Sequence, residues 1–249
     1  MLAIVLTCDR YRALTEHMMR CYARLWPDHP FRFRIPYQSL GGPESDRAEY
    51  VRTPLPIKDT VLTLLSDLDD ERWIYWAIDD KYPIALDLGR MASTVRWLSN
   101  GTLPLALSGV LLCRCRNLLR DESLTGAKIA DPDGHLLLER RAYHQIWIHQ
   151  FLRVKVLRHL FQSFPDDLDP PKTMDALLLE TAKPRAHRLF VVRDNRAVFG
   201  ESTSRGKITR NCNESMMAEG QAVPEWAAGG EQKEIIMGRL EDRSVPAPG

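Results

Sequence analysis

The stretch Trp73-Ile-Tyr-Trp-Ala-Ile-Asp79-Asp80-Lys81-Tyr82 constrains this chain more than any other. Its first six residues are apolar or aromatic without a gap, and two adjacent carboxylates follow. A short apolar run of this kind reads as a strand buried on both faces. Such strands belong to parallel α/β sheets, whose ligands gather at the carboxyl ends of the strands. Asp79 and Asp80 stand at such an end. Neighbouring carboxylates repel each other and are best tolerated beside a cation. Pro83 is expected to break the element.

The rest of the first hundred residues supports that class. Leu2-Ala-Ile-Val-Leu-Thr-Cys8 is a second fully apolar strand. An amphipathic helix, capped by Asp9, should follow it, with Leu14, Met18, Cys21, Tyr22 and Leu25 on one face, until Pro27. Phe31–Ile35 alternates like a half-buried strand, and helical spacing returns over 58–68 and 85–99, with Gly101 after the latter. Strand–helix alternation argues a mostly parallel sheet flanked by helices. Beyond residue 101 the pattern is mixed. Leu103–Cys115 is apolar but without decisive period, Asp131-Pro-Asp-Gly134 marks a turn between strands 126–130 and 135–140, residues 151–162 look helical, and Leu189–Val192 reads as a strand. A short helix is expected near 172–181 and another at 231–241. The organisation expected is one α/β domain over 1–242, with a nucleotide-binding half (1–100), an acceptor-side half (101–242), and a disordered tail at 243–249.

Composition excludes several classes. With 249 residues, 44% of them hydrophobic and 27% charged, the chain is long enough to bury a substantial core. A formal net charge of +1 lacks the basic footprint that nucleic acid requires. No run approaches the length of a membrane helix, and Asp9 and Arg10 end the first apolar run too early for a signal peptide. Five scattered cysteines suit free thiols, and a cytoplasmic location is expected.

Most familiar catalytic motifs fail on spacing. Gly200-Glu-Ser-Thr-Ser-Arg-Gly206-Lys207 has five residues between its glycines and Ile208 after the lysine, so it is not a P-loop. Arg205 and Lys207 remain candidate phosphate contacts in a small-residue loop. Cys113-x-Cys115 lacks the second half of a zinc site. The histidines at 135, 144, 149, 159 and 187 form no helical pair, and no Gly-x-Ser-x-Gly or Gly-x-Gly-x-x-Gly is present.

With these residues in view, the chain resembles the GT-A class of nucleotide-sugar glycosyltransferases over roughly residues 2–100. Thr7-Cys8-Asp9-Arg10 is similar to the family's nucleotide-holding segment, and Asp79-Asp80 to its paired acids. The resemblance implies a GT-A-like fold and glycosyl transfer from a nucleoside diphosphate sugar to a glycan or other hydroxyl acceptor. It further implies Thr7, Asp9, Arg10 and Asp79 on the nucleotide, and a divalent metal, manganese or magnesium, on Asp79 and Asp80. An inverting transfer needs a carboxylate base, for which Asp175 and then Glu180 are candidates. The family's acidic motif is usually Asp-x-Asp, whereas Lys81 follows the pair here. Strand alternation would turn Lys81 away from Asp80. Two alternatives stand beside transfer: a non-catalytic nucleotide- or sugar-binding protein on the same sheet, and a nucleotidyltransferase. The latter normally carries a glycine-rich basic loop after its first strand, which Thr7–Tyr11 does not supply.

Overall fold

The computed structural model describes residues 1–43, 45–104, 106–114, 121–166, 171–227 and 233–240. In chain order the elements are β1 (Leu2–Leu6), α1 (Arg12–Leu25), β2 (Arg32–Tyr37), β3 (Ala48–Arg52), α2 (Ile57–Leu64), β4 (Trp73–Ile78), β5 (Lys81–Leu86), α3 (Leu88–Asn100), β6 (Leu107–Leu111), β7 (Leu124–Ala130), β8 (Leu136–Arg140), β9 (Gln150–Arg153), α4 (Val154–Ser163), α5 (Pro171–Glu180), β10 (Arg188–Val192), β11 (Ala197–Glu201), β12 (Thr203–Ser204), β13 (Lys207–Ile208), α6 (Arg210–Ala218) and β14 (Ile236–Met237).

Nine strands form one sheet in the order β3-β2-β1-β4-β9-β6-β10-β8-β7. Strands β1, β2, β3 and β4 are mutually parallel, and β9 runs against both β4 and β6. β10 is parallel to β6, β8 opposes β10, and β7 opposes β8. Seven of the nine strands therefore share one direction, with β8 and β9 reversed. This is the mostly parallel α/β sheet the sequence called for, and both halves of the chain contribute strands to it.

The continuous apolar runs follow from burial on both faces. Ala3 and Val5 of β1 face one core with Leu14, Met18 and Tyr22 of α1. Leu2 and Ile4 face a second core with Val61 and Leu64 of α2 and Leu157 and Leu160 of α4. The neighbouring β4 divides likewise, Tyr75 and Ala77 to the first core and Ile74, Trp76 and Ile78 to the second. Each fully buried large side chain contributes roughly 1.5–3 kcal/mol. Trp76 also keeps its indole N–H satisfied by the Ile146 carbonyl, 2.8 Å away.

Topology then fixes where a ligand can enter. From β1 the chain crosses through α1 to β2 on one side, and from β3 it crosses through α2 to β4 on the other side of β1. The strand order reverses between β1 and β4, and an open α/β sheet leaves a crevice at such a point. Leu6 pairs with Ile78 in register, so Thr7 and Asp79 leave the sheet side by side.

Several local expectations are corrected. Asp9 lies in a 3₁₀ turn and does not cap α1, which starts at Arg12. Pro83 does not end its element. It sits inside β5 opposite Phe199, where the ladder with β11 shifts register, and a bulge tolerates a residue without an N–H. The helix of 85–99 starts later, at Leu88, where the Asp87 carboxylate accepts the Arg90 N–H. Residues 233–240 hold no helix; Ile236 and Met237 instead pair with β11. Cys115 and the tail at 243–249 lie outside the described residues.

Candidate active site

A cleft of about 770 Å³ opens at the reversal point. Its floor is the end of β1 (Leu6, Thr7, Cys8) and the acidic turn after β4 (Asp79, Asp80, Lys81). Glu201 and Thr203 border it on one side, Trp147 and Ile148 on another, and Met174, Leu178 and Leu179 bring α5 to its rim.

Asp79 and Asp80 form the turn between β4 and β5, and the backbone of this turn is held at three consecutive carbonyls. His149, immediately before β9, donates its Nε2–H to the Ile78 carbonyl at 2.9 Å. The Ser202 hydroxyl donates to the Asp79 carbonyl at 3.2 Å, and the Ser202 N–H to the Asp80 carbonyl at 2.6 Å. Because a carbonyl only accepts, Nε2 carries the imidazole hydrogen and Nδ1 is free to accept from the Tyr22 hydroxyl at 2.8 Å. Tyr75 in turn donates to Tyr22 at 2.6 Å. Tyr75, Tyr22 and His149 are all fully buried, so the carboxylates stand on a rigid support.

The electrostatics of the turn are unbalanced. Lys81 is only 6% exposed, yet its Nζ lies 2.8 Å from Asp80 Oδ2 and 3.6 Å from Glu201 Oε1. Burial alone would lower the lysine pKa, but Asp80 and Glu201 outweigh it and raise the value. The expectation that Lys81 turns away from Asp80 is therefore corrected. Alternation fails because Asp79-Asp80 is a turn and not extended strand, which brings the lysine back onto its neighbour while pairing it with Glu201 across β5–β11. Burial, and then the charge of Asp80, push the Asp79 pKa up to about 7, against smaller opposing effects of Thr7 and Lys81. Asp80 and Glu201 thus share one ammonium, and Asp79 adds a third carboxyl beside the pair. Asp79 Oδ2 and Asp80 Oδ1 are buried without any hydrogen-bond partner. Two open acceptors and a surplus of negative charge are the conditions that a hard divalent cation satisfies, so the residues present fit one.

The other sequence candidates fall at varied distances from this centre. Thr7 lines the cleft and accepts from Thr15 at 2.9 Å. The Asp9 carboxylate accepts the backbone N–H groups of Gln38, Ser39 and Leu40, and these bonds overcome a burial effect to keep its pKa low. Asp9 thereby fixes the loop after β2 and is not among the lining residues. Arg10 is exposed, with its guanidinium 5.6 Å from the Tyr11 ring and 5.5 Å from that of Trp226. Asp175 lies on α5, three residues before the lining Leu178; Glu180, at the end of α5, is exposed and does not line the cleft. Arg205 and Lys207 are exposed on the β12–β13 hairpin, which meets the cleft through Thr203.

Sequence reasoning missed His149, Ser202 and Gln145. His149 acts through the fold and not through a sequence-adjacent partner, so no spacing rule finds it. Gln145, in the cleft wall, has φ +62°, a left-handed conformation costly for a residue other than glycine and common at ligand sites.

No family model matches this sequence, and a search of curated proteins finds no match either. Solved structures do resemble it. The galactosyltransferase LgtC, in complex with donor and acceptor sugar analogues, is 12% identical, with 91% of this chain and 81% of that one covered and a TM-score of 0.40. TarS of S. aureus is 13% identical over 87% of this chain and 38% of that one, with a TM-score of 0.47. The 2-C-methyl-D-erythritol 4-phosphate cytidylyltransferase of Francisella tularensis is 10% identical over 89% and 99%, with a TM-score of 0.42. The neighbours thus include both glycosyl- and nucleotidyltransferases. Likeness this distant carries nothing about chemistry, which has to be read from the side chains of the cleft. Among the described residues, no helix is long and apolar enough to cross a membrane.

Proposed function

We propose that this protein transfers a glycosyl group from a nucleoside diphosphate sugar to a hydroxyl of a glycan or other acceptor. One observation carries the reading: the buried acidic turn at the reversal point, where Asp80 and Glu201 share a single ammonium, Asp79 stands beside them, and two carboxylate oxygens lack partners. Asp79 and Asp80 would hold a divalent manganese or magnesium ion. Such an ion, when bound, neutralises the charge that develops on a departing diphosphate.

The chain's own residues supply the rest. Thr7 and the end of β1 border the nucleoside side of the crevice, and Lys81 holds the Asp80 carboxylate in place through their ion pair. The β12–β13 hairpin offers Arg205 and Lys207 to phosphate oxygens. In the transfer the bond from the anomeric carbon to the diphosphate oxygen breaks, and a bond to the acceptor oxygen forms. The acceptor proton goes to a carboxylate, for which Asp175 on the cleft-bordering α5 is the proposed base. The apolar wall of Trp147, Ile148 and Leu178 would limit the access of water that hydrolyses the donor.

Nucleotidyl transfer fits less well. It must stabilise a triphosphate, and among the described residues that line the cleft Lys81 alone carries an ammonium or guanidinium, one already paired with Asp80 and Glu201, while Arg205 and Lys207 stand outside the lining on the hairpin. The test is to incubate the protein with a panel of nucleoside diphosphate sugars and hydroxyl acceptors and measure nucleoside diphosphate release. Release that requires acceptor supports the reading. Pyrophosphate release from a nucleoside triphosphate and a sugar phosphate would replace it with nucleotidyl transfer, and donor binding without turnover would replace it with a binding role.

A further inference from the structure

One to two turns along α1 from the cleft-lining Leu14, three potential metal ligands from distant parts of the sequence converge. His17 and Cys21 stand one turn apart on α1, both fully buried, and Glu219 directly follows α6. Their donor atoms all lie within 4.8 Å of one another. Cys21 Sγ is 3.4 Å from His17 Nε2 and 3.6 Å from Glu219 Oε1.

The two separations at Cys21 match a small tetrahedral ion, and the His17–Glu219 pair, within 4.8 Å, would close around it. Zinc bonds of about 2.3 Å to sulfur and about 2.1 Å to nitrogen or oxygen, opened to the tetrahedral angle, put the ligand atoms roughly 3.6 Å apart. The ligand chemistry agrees. An imidazole nitrogen, a thiolate sulfur and a carboxylate oxygen are all ligands that zinc takes. Glu219 Oε2 is buried with no hydrogen-bond partner, while Oε1 is met by Arg24 at 3.2 Å. One carboxylate and one thiolate would cancel the charge of a divalent ion. The other ring nitrogen of His17 faces Cys212 Sγ at 3.9 Å, which supplies an outer partner that orients the imidazole. The Ser215 hydroxyl, 2.9 Å from His17 Nε2, now shares that nitrogen, and metal binding would displace this bond.

We propose that His17, Cys21 and Glu219 form a structural zinc site that clamps α6 onto α1. Binding converts the Cys21 thiol to thiolate, its proton passing to solvent, with no change in oxidation state. Because α1 is the first helix after β1, whose end leads into Thr7, the clamp joins α6 to the first wall of the cleft. The site shares no residue with the acidic turn, so it stands or falls independently of the proposed transfer.

Cobalt(II) titration of the metal-stripped full chain tests this. Thiolate ligation gives a sulfur-to-cobalt charge-transfer band, which carboxylates alone cannot produce. The expected result is such a band saturating at one equivalent, displaced by zinc, lost in Cys21→Ser, and kept in Asp80→Asn. Glu219→Gln, at a partly exposed position that leaves the core packing alone, should weaken binding at least tenfold. Zinc should raise the thermal midpoint of the wild type and not that of Cys21→Ser. Absence of the band, or its persistence in Cys21→Ser, overturns the proposal. An unchanged affinity in Glu219→Gln removes the carboxylate from the site and overturns it equally.

Discussion

The Nε2–H of His149 reaches the carbonyl of Ile78, the residue immediately before the acidic pair, across 2.9 Å of fully buried space. Burial, and further the charge of Lys81, hold the His149 pKa down at about 3, although the bond to Ile78 pulls upward. The folded protein therefore keeps this ring neutral, while the unfolded chain takes up a proton below about pH 6.5. A depressed histidine pKa means that stability is present above 6.5 and is lost as pH falls from there toward 3. His17, His29 and His187, each lowered by burial to about 4, act in the same direction. His149→Gln should be less stable than the wild type at pH 7, with the gap narrowing by about 2 kcal/mol at pH 5. Urea unfolding at both values measures this; a gap independent of pH would show that the ring is not neutral by burial.

A buried ion pair holds the turn between β7 and β8. Arg196 and Asp131 are almost entirely buried and meet at 2.5 Å. The same carboxylate accepts the N–H groups of Asp133 and His135, so it both closes the β7–β8 turn and neutralises the guanidinium. Removing one partner leaves the other charge buried and alone. Asp131→Ala should lower stability by about 3–5 kcal/mol, as read from denaturant midpoints, and Asp131→Asn by less because it preserves the turn bonds.

Asp131 also marks how far the sequence could be read. Its turn signal placed β7 and β8 correctly, because Asp-Pro-Asp-Gly encodes its own local geometry. Nothing local encodes the tie to Arg196, sixty-five residues away. The same division runs through the site. The strands β1 and β4 were legible because burial on both faces forces an unbroken apolar run, and with them the position of Asp79 and Asp80 at a strand end. The course of the chain beyond them was not. Pro83 signals a break in isolation, and only pairing with β11 supplies the bulge that accommodates it. Lys81 was misdirected for the same reason, since its contacts depend on a turn that tertiary pairing creates.

Asp80 is the residue on which the proposed chemistry turns. Its side chain is 38% exposed, reaching the cleft while anchoring Lys81. Asp80→Asn should reduce transfer by two to three orders of magnitude, as expected for a lost charge at a phosphate or cation site (about 3–4 kcal/mol of barrier). Lys81 keeps Glu201 at 3.6 Å, so the loss of stability should stay near 1–2 kcal/mol. Initial rates with a nucleoside diphosphate sugar, set beside thermal unfolding of the same variant, separate the two effects. Wild-type rates would remove Asp80 from the site.

Lys81 and a divalent ion compete for the same carboxylates, and this sets up the sharpest test. The ammonium satisfies Asp80 Oδ2 directly and leaves Asp79 Oδ2 and Asp80 Oδ1 without partners. Two like charges about 4 Å apart repel by roughly 1–4 kcal/mol, depending on how far solvent screens them. Removing the lysine therefore removes a cation that opposes metal entry, and adds a vacancy in the charge balance of three carboxylates. Lys81→Met should bind manganese about tenfold more tightly than the wild type, a change of about 1.4 kcal/mol. Without metal it should be the less stable protein, because Asp80 and Glu201 lose their shared partner. The two statements predict a crossing: the variant unfolds earlier than the wild type in chelator and recovers most of the difference as manganese is added. Calorimetric titration and thermal unfolding with and without chelator measure both limbs. Should Lys81→Met abolish transfer while manganese affects neither protein, the ammonium itself neutralises the leaving diphosphate, and the transfer proceeds without a metal.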